Sequence, residues 1–289
     1  MSENTKKVIL ITGCSSGFGM LTAVRLSKKH SVVATMRNPE KQKQLIEALE
    51  NSGGRVSIKK LDVTDINSIK KCVDEVIAQN KRIDGLINNA GYGIGGFFED
   101  LTQEEIRAQF DTNFFGVQNV TREVIPVMRA QKSGKIINIS SVAGFYASPC
   151  FSAYAASKWA LEAFSESLYY ELKPFGINVS LIEPGTYNTP IFHDNARFAK
   201  NFNNPKSPYY FLSQKLKGIV DDFVAHCRKD PENIAALAEK LIDSDNPSLR
   251  NIADLEGKAF YALRKLLPFK AFSFLVTRAL SKSSKETSK

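Results

Sequence analysis

Cysteine is scarce and scattered: Cys14, Cys72, Cys150 and Cys227 form no Cys-x-x-Cys pair. That excludes a zinc ribbon and a disulfide framework and fits a reducing, cytoplasmic setting. The three histidines, His30, His193 and His226, do not cluster, so no metal site is expected. No apolar run approaches the roughly 18 residues that a membrane-spanning helix needs. The start is polar, and the apolar run behind it, Val8 to Ile11, stops at Thr12-Gly13. It reads as a short strand and not as a signal peptide. Acidic charge is missing in one place. Residues 257–289 carry eight Lys and Arg against the single acid Glu286, so most of the net charge of +9 lies in that tail. A nucleic-acid protein would spread its basic surface over the folded body, and no nucleic-acid partner is expected.

The chain of 289 residues, 43% hydrophobic and 24% charged, has the composition of an ordinary globular protein. Short β-branched runs alternate with helical stretches. Strands are predicted at 7–12, 31–35, 55–61, 85–88, 135–140, 178–182 and 249–253, and helices at 18–29, 39–51, 65–80, 103–129, 152–173 and 231–244. Several strands are apolar throughout, as in Val8-Ile9-Leu10-Ile11, which marks a parallel sheet covered on both faces. Thr102 and Glu105 read as a capping box, and Pro39 and Pro231 suit first helical turns. The pattern predicts one doubly wound α/β domain over 1–256, with helices on both faces of a parallel sheet, and a C-terminal extension over 257–289.

The turn Thr12-Gly13-Cys14-Ser15-Ser16-Gly17-Phe18-Gly19 follows the first strand and opens the first helix, the context in which a glycine-rich turn binds a dinucleotide. Gly13 allows the tight turn, Gly17 admits the pyrophosphate to the backbone, and Gly19 lets the helix pack closely. The helix N-terminus offers free N–H groups to the anion. Here the sequence resembles the short-chain dehydrogenase/reductases, from about residue 6 to 253. Besides this turn it carries Asp62-Val63 after the third strand, Asn88-Asn89-Ala90-Gly91 after the fourth, Asn113, Ser141, Tyr154-Ala155-Ala156-Ser157-Lys158, Pro184-Gly185 and Thr189, in order. The resemblance implies a Rossmann-type fold and a nicotinamide cofactor. It implies that Asp62 bonds the adenine and that Asn89 lies beside the adenosine ribose. It further implies that Lys158 holds the nicotinamide ribose and that Asn113 supports a water linking Lys158 to solvent. Val63, Ala90 and Gly91 are counted with the cofactor residues, as are Ser15, Ser16 and Phe18.

Charge predicts which nicotinamide. The second strand runs Val33-Ala34-Thr35-Met36-Arg37-Asn38 with no acid at its end to grip ribose hydroxyls. Arg37 can pair with a 2′-phosphate, so NADP(H) is expected.

Three Tyr-x-x-x-Lys pairs occur: Tyr154/Lys158, Tyr169/Lys173 and Tyr261/Lys265. Only Tyr154 follows a strand ending in Ser140-Ser141 at the family spacing. A free phenol near pKa 10 is a sluggish base at neutral pH. Lys158, one helical turn away, is expected to favour the phenolate, and Ser141 to bond the substrate oxygen where charge develops. Pro184 and Gly185 should border the nicotinamide, with Thr186 and Thr189 either on its carboxamide or capping a turn.

The segment 186–222 lacks clean periodicity and is rich in aromatics. With Phe145, Phe151 and Trp159 it predicts either a greasy substrate pocket or ordinary lid packing. The Leu-rich basic extension resembles that of the steroid- and retinol-dehydrogenase-like branch. The function expected is hydride transfer between NADP(H) and a carbonyl or secondary alcohol, of a lipophilic substrate. The alternative is a non-catalytic NADP(H)-binding redox sensor, which would have lost at least one of Asn113, Ser141, Tyr154 and Lys158; all four are present. An epimerase or dehydratase of related fold is disfavoured by the short nucleotide turn. The two long helices 103–129 and 152–173 imply, by resemblance, a homodimer. In the tail, Phe272, Leu275, Val276, Ala279 and Leu280 follow helical spacing opposite Lys270, Arg278 and Lys282. That stripe either packs on the body or lies on anionic lipid. Residues 281–289 are expected to be disordered.

Overall fold

The computed structural model describes residues 6–190 and 196–282. All four residues of β1 (Val8–Ile11) are buried. Val8 and Leu10 point to one face and Ile9 and Ile11 to the other, because side chains alternate along a strand. A strand buried on both faces has no polar side to show, which is why its sequence is uniformly apolar.

Around β1 lies a seven-stranded parallel sheet formed with β2 (Ser31–Met36), β3 (Val56–Lys60), β4 (Gly85–Asn88), β6 (Gly134–Ile139), β7 (Ile177–Glu183) and β9 (Arg250–Ile252), in the order β3-β2-β1-β4-β6-β7-β9. A separate parallel pair joins β5 (Ile94–Gly95) to β8 (Arg197–Phe198). On one face, α1 (Gly17–Leu26), α2 (Lys43–Ser52) and α8 (Glu232–Asp243) close a core containing Ile9, Ile11, Ala23, Leu45, Ile234 and Ile242. On the other, α3 (Ile66–Asn80), α5 (Gly116–Gln131) and α6 (Ser152–Leu172) close a core with Leu10, Val73, Val124, Leu168 and Val179. The chain winds outward from β1 through β2 to β3, then returns to place β4 on the other side of β1. That reversal opens a crevice at the carboxyl ends of the strands, where open α/β sheets bind ligands.

The sequence expectations for the elements hold with local differences. The 103–129 helix is α4 (Gln103–Phe110), with its Thr102–Glu105 capping box, then a π turn Asp111–Phe115, then α5. The wider turn carries Asn113 into the interior, where it is 1% exposed; such bulges recur at functional sites. Pro39 opens a short 3-10 turn Pro39–Gln42, and Pro231 is the N-cap of α8 rather than its first residue. The segment 186–222 is not irregular throughout. It contains β8 and much of α7 (Tyr210–Ala225), whose exposed Phe211 and Leu212 blur the periodicity that Leu216, Ile219 and Val220 carry. Phe192 and His193 lie outside the described residues.

After β9 come α9 (Leu255–Leu266) and α10 (Phe269–Lys282). Phe272 is 4% exposed and sets its ring edge against Tyr146 and Phe260. Leu266, Phe269, Phe274 and Leu275 stay exposed. The tail therefore packs on the body through Phe260, Tyr261 and Phe272 and leaves an outer apolar row. The side chains of Ala279, Leu280 and Lys282, and the expected disorder at its far end, lie outside what is described. No described helix is long and apolar enough to cross a membrane.

Candidate active site

A cavity of about 1080 Å³ runs along the crevice from the first turn to α7. Gly13 sits at φ +74°, and a Cβ there would come within 2.8 Å of the Ala90 Cα. Thr12 Oγ1 accepts the backbone N–H groups of Asn89 and Ala90, each at 3.0 Å. The Asn89 amide donates back to the Thr12 and Gly13 carbonyls at 3.0 Å. A Cβ on Gly19 would strike that same amide at 2.3 Å, so Gly19 keeps α1 against the loop after β4. The Asn89 residue borders the cavity, but its side chain braces the turn. Gly17 differs: at φ +59° its added Cβ would meet only Pro190, at 4.0 Å. The backbone there faces open space, the cradle an anion requires. Ser15, Ser16 and Phe18 line the same end, and Phe18 stands edge-on to the buried Tyr187 at 5.5 Å.

Arg37, Asn38 and Lys41 form the adjoining wall. Arg37 is exposed, and no carboxylate among the described residues pairs with it. Asp62, Val63, Ala90 and Gly91 line the next stretch. Asp62 Oδ1 accepts the Thr64 amide at 3.0 Å and its hydroxyl at 2.8 Å, leaving the second oxygen for a ligand.

Tyr154 and Lys158 lie one turn apart on α6, with the Lys158 Nζ 5.8 Å from the Tyr154 ring centre. Lys158 is 7% exposed and donates to the Ile139 carbonyl at 2.8 Å. Burial pushes this ammonium down to about 8, against the opposing pull of Glu162. Ser141 accepts the Ala143 amide at 3.1 Å and hydrogen-bonds the Tyr154 phenol. Burial raises the Tyr154 phenol above its usual value, and the Ser141 bond only partly offsets this. The expectation that Lys158 lowers the phenol is therefore not met by the chain by itself: desolvation of the phenolate outweighs the nearby charge. Tyr169/Lys173 and Tyr261/Lys265 do not border the cavity.

Asn113 stands behind this group. Its Oδ1 accepts the Tyr92 amide at 3.1 Å, and its Nδ2 donates to the Tyr92 carbonyl at 2.9 Å and to Ser157 Oγ at 3.3 Å. Pro184, Gly185, Thr186 and Thr189 line the cavity beyond β7. The Pro184 carbonyl accepts the Val142 amide at 3.0 Å, and Gly185 donates to Asp254 at 3.1 Å.

The far end is apolar. Tyr92, Phe151, Phe198, Phe202, Leu216 and Val220 line it, and the Arg197 guanidinium covers the Tyr92 ring at 4.2 Å. The lid is fastened by Tyr209, which stacks on Phe97 at 4.6 Å and donates to Glu99 at 2.9 Å, and by Ser207, which donates to Asp100 at 2.6 Å. Two of the expected pocket aromatics lie elsewhere: Phe145 is buried against Tyr261, and Trp159 is 44% exposed on α6. Sequence reasoning missed Thr12 and Asp254, whose roles need the third dimension, and α7. No group of three or more His, Cys, Asp or Glu residues able to hold a metal occurs among the described residues.

Residues 7–199 match the family described as short chain dehydrogenase. An uncharacterised oxidoreductase of Bacillus subtilis is 39% identical over 280 residues, 95% of this chain and 99% of that protein. A 3-ketodihydrosphingosine reductase of Bacteroides thetaiotaomicron is 40% identical over 84% of this chain and 86% of its own length. Retinol dehydrogenase 8 of Bos taurus is 33% identical over 91% and 86%. Among solved structures, a short-chain dehydrogenase from Streptomyces avermitilis superposes with a TM-score of 0.78 at 33% identity, covering 99% of this chain and 98% of that one. A Burkholderia phymatum enzyme in complex with NAD scores 0.79 at 25% identity, over 92% and 95%. A Burkholderia cenocepacia gluconate 5-dehydrogenase in complex with NADP scores 0.70 at 25%, over 88% and 95%.

Proposed function

This chain belongs to the short-chain dehydrogenase family, and from that premise we propose that it is an NADP(H)-dependent oxidoreductase acting on the carbonyl or secondary alcohol of a lipophilic molecule. One observation carries the reading: Ser141, Tyr154 and Lys158 meet at the midpoint of a single cavity. One end of that cavity is an anion cradle with Arg37 beside it, and the other is apolar. When bound, the nicotinamide cofactor supplies or accepts the hydride.

Gly13, Ser15, Ser16, Gly17, Phe18 and Gly19 form the pyrophosphate cradle, Arg37 pairs with the 2′-phosphate, and Asp62, Val63, Asn89, Ala90 and Gly91 flank the adenosine. Pro184, Gly185, Thr186 and Thr189 border the nicotinamide. Tyr154 gives a proton to the nascent alkoxide in reduction and takes it back in oxidation. Its raised phenol suits the proton-giving role. Ser141 donates to the substrate oxygen as charge grows there. Lys158 sets a buried positive charge beside the phenol, and Asn113 fixes the Tyr92 backbone beneath it. The relatives named for a ketosphingoid and a retinol agree with an elongated apolar substrate.

The chain acts as a homodimer in this reading, with the exposed Phe115 just before α5 and Trp159 and Tyr170 on α6 as its interface; a sedimentation profile of monomers or tetramers removes that part. The outer row on α9 and α10, with Lys258, Arg264, Lys265 and Lys270, touches anionic lipid weakly. The test of function is NADPH oxidation over aldehydes and ketones of increasing chain length, with Tyr154→Phe as control. Turnover is expected with long-chain carbonyls and is lost in the variant. Tight NADPH binding with no turnover of any carbonyl would instead indicate a redox sensor.

A further inference from the structure

Behind Lys158 lies a charged cluster that hydride transfer does not explain. Glu162 follows Lys158 by one turn of α6 and is 4% exposed, and Glu183 ends β7 and is fully buried. One nitrogen of Arg250, at the start of β9, lies 2.8 Å from Glu162 Oε2 and 2.6 Å from Glu183 Oε1. Both Glu162 oxygens, Glu183 Oε2 and the Ser140 hydroxyl are buried without a hydrogen-bond partner among the described residues. A Cβ on Gly144 would come within 2.7 Å of Glu162, so the side chain has no room to swing away. Tyr261 of α9 lies 5.8 Å under the Arg250 guanidinium.

One guanidinium offsets one carboxylate. Two buried carboxylates at one nitrogen cannot both ionise cheaply; burial raises both groups above the usual carboxylate range, and the charge of Glu162 raises Glu183 further. The groups facing Lys158 are the Ile139 carbonyl from β6, Tyr154, and Glu162. Those facing Glu162 are Ser140, Glu183 and Arg250. Glu162 alone therefore joins the cluster to the lysine. We infer that Glu162 and Glu183 hold one proton between them, and that Glu162 is a positioning residue that keeps the Lys158 ammonium charged in its buried setting. As pH rises the shared proton leaves, negative charge grows one turn from Lys158, and the ammonium persists to higher pH than burial would allow.

The inference rests on the proposed role of Lys158 but is tested without turnover. The 13Cε resonances of labelled lysine are titrated in the full-length protein, and Lys158 is assigned by its loss in Lys158→Arg. In Glu162→Gln the Lys158 midpoint falls by about one pH unit or more, as loss of an opposite charge at this range requires. In Glu183→Gln, Glu162 has Arg250 to itself and ionises earlier, so the midpoint stays or rises. An unmoved midpoint in Glu162→Gln, or an equal fall in both variants, overturns the inference. Should Glu162→Gln not fold, Glu183→Gln decides: a lowered midpoint there overturns it. The alkaline limb of kcat/KM follows the same order in an active enzyme. An inactive wild type would fail the functional reading and leave the titration intact.

Discussion

The Asp254 carboxylate accepts the Gly185 amide at 3.1 Å through Oδ2 and the Gly257 amide at 2.8 Å through Oδ1. One side chain thus ties the corner after β7, where the nicotinamide is proposed to lie, to the first turn of α9. Lys229 holds Asp254 in turn, at 3.4 Å. Asp254→Ala removes a helix cap, at a cost of about 1 kcal/mol, and frees the Gly185 backbone. The expected result is a lower melting temperature and a KM for NADPH that rises more than kcat falls. Asp254→Asn, which keeps an acceptor for one amide, recovers part of both. Equal KM values in Asp254→Ala and the parent would show that the tether does not position the cofactor.

Arg37 stands at the end of β2 without a carboxylate partner among the described residues. A charge-assisted hydrogen bond is worth about 1.5–3 kcal/mol, so Arg37→Ala should weaken NADPH about 10- to 100-fold and leave NADH nearly unchanged. Arg37→Asp goes further, repelling the 2′-phosphate and offering an acceptor to ribose hydroxyls. Steady-state kinetics with both cofactors check this. A parent enzyme that already prefers NADH would overturn the assignment.

Asn113 is buried and makes three hydrogen bonds, two of them to the Tyr92 backbone. Asn113→Ala strands the Tyr92 N–H, costing about 1–3 kcal/mol for a buried group left unpaired, while the Tyr92 carbonyl keeps its bond from Gln109 at 2.8 Å. Melting temperature and kcat are both expected to drop, while NADPH affinity, set at the other end of the cavity, changes little. A variant with unaltered kcat would reduce Asn113 to a structural residue.

The sheet was legible because β1, β6 and β7 are buried on both faces, and continuous apolar runs of strand length have few other readings. The nucleotide turn was legible because its glycines serve local backbone needs. Asp254 was not, since a cap that also holds an amide 69 residues away leaves no local trace. The π turn at Asn113 hid inside one long helical period. The direction of the Tyr154 shift was missed because spacing shows a nearby lysine but does not show how far burial penalises the phenolate. Trp159 and Phe145 were drawn toward the site by nearness in sequence, yet the helical phase of α6 turns Trp159 outward.

Burial of Glu183, with Glu162 beside it, raises its carboxyl above the unfolded value. The folded protein then keeps a proton that the unfolded chain releases, so stability falls as pH rises from the ordinary carboxylate range through the raised folded value. Lys158 acts oppositely: lowered to about 8 when folded, it adds stability only as pH climbs from there toward the ordinary lysine value. Urea midpoints should decline from mildly acidic to neutral pH, and Glu183→Gln should flatten that decline. A parent curve that rises over the same interval would contradict the sign.

Phe272 fastens α10 to Tyr146 at the cavity rim, while Leu266, Phe269, Phe274 and Leu275 remain exposed beside Lys258, Arg264, Lys265 and Lys270. An exposed apolar row flanked by cations suits the headgroup region of an anionic bilayer. Part of the attraction is electrostatic, so it should weaken as the Debye length shrinks to about 3 Å near 1 M salt. Full-length protein is expected to float with vesicles containing phosphatidylserine at low salt, to be released at high salt, and to ignore vesicles of phosphatidylcholine alone. The double variant Phe274→Glu, Leu275→Glu removes apolar contact and adds negative charge on side chains that do not border the cavity. It should abolish flotation while leaving turnover of a water-soluble carbonyl unchanged. If the parent protein fails to float with anionic vesicles at low salt, the row is surface without a lipid partner.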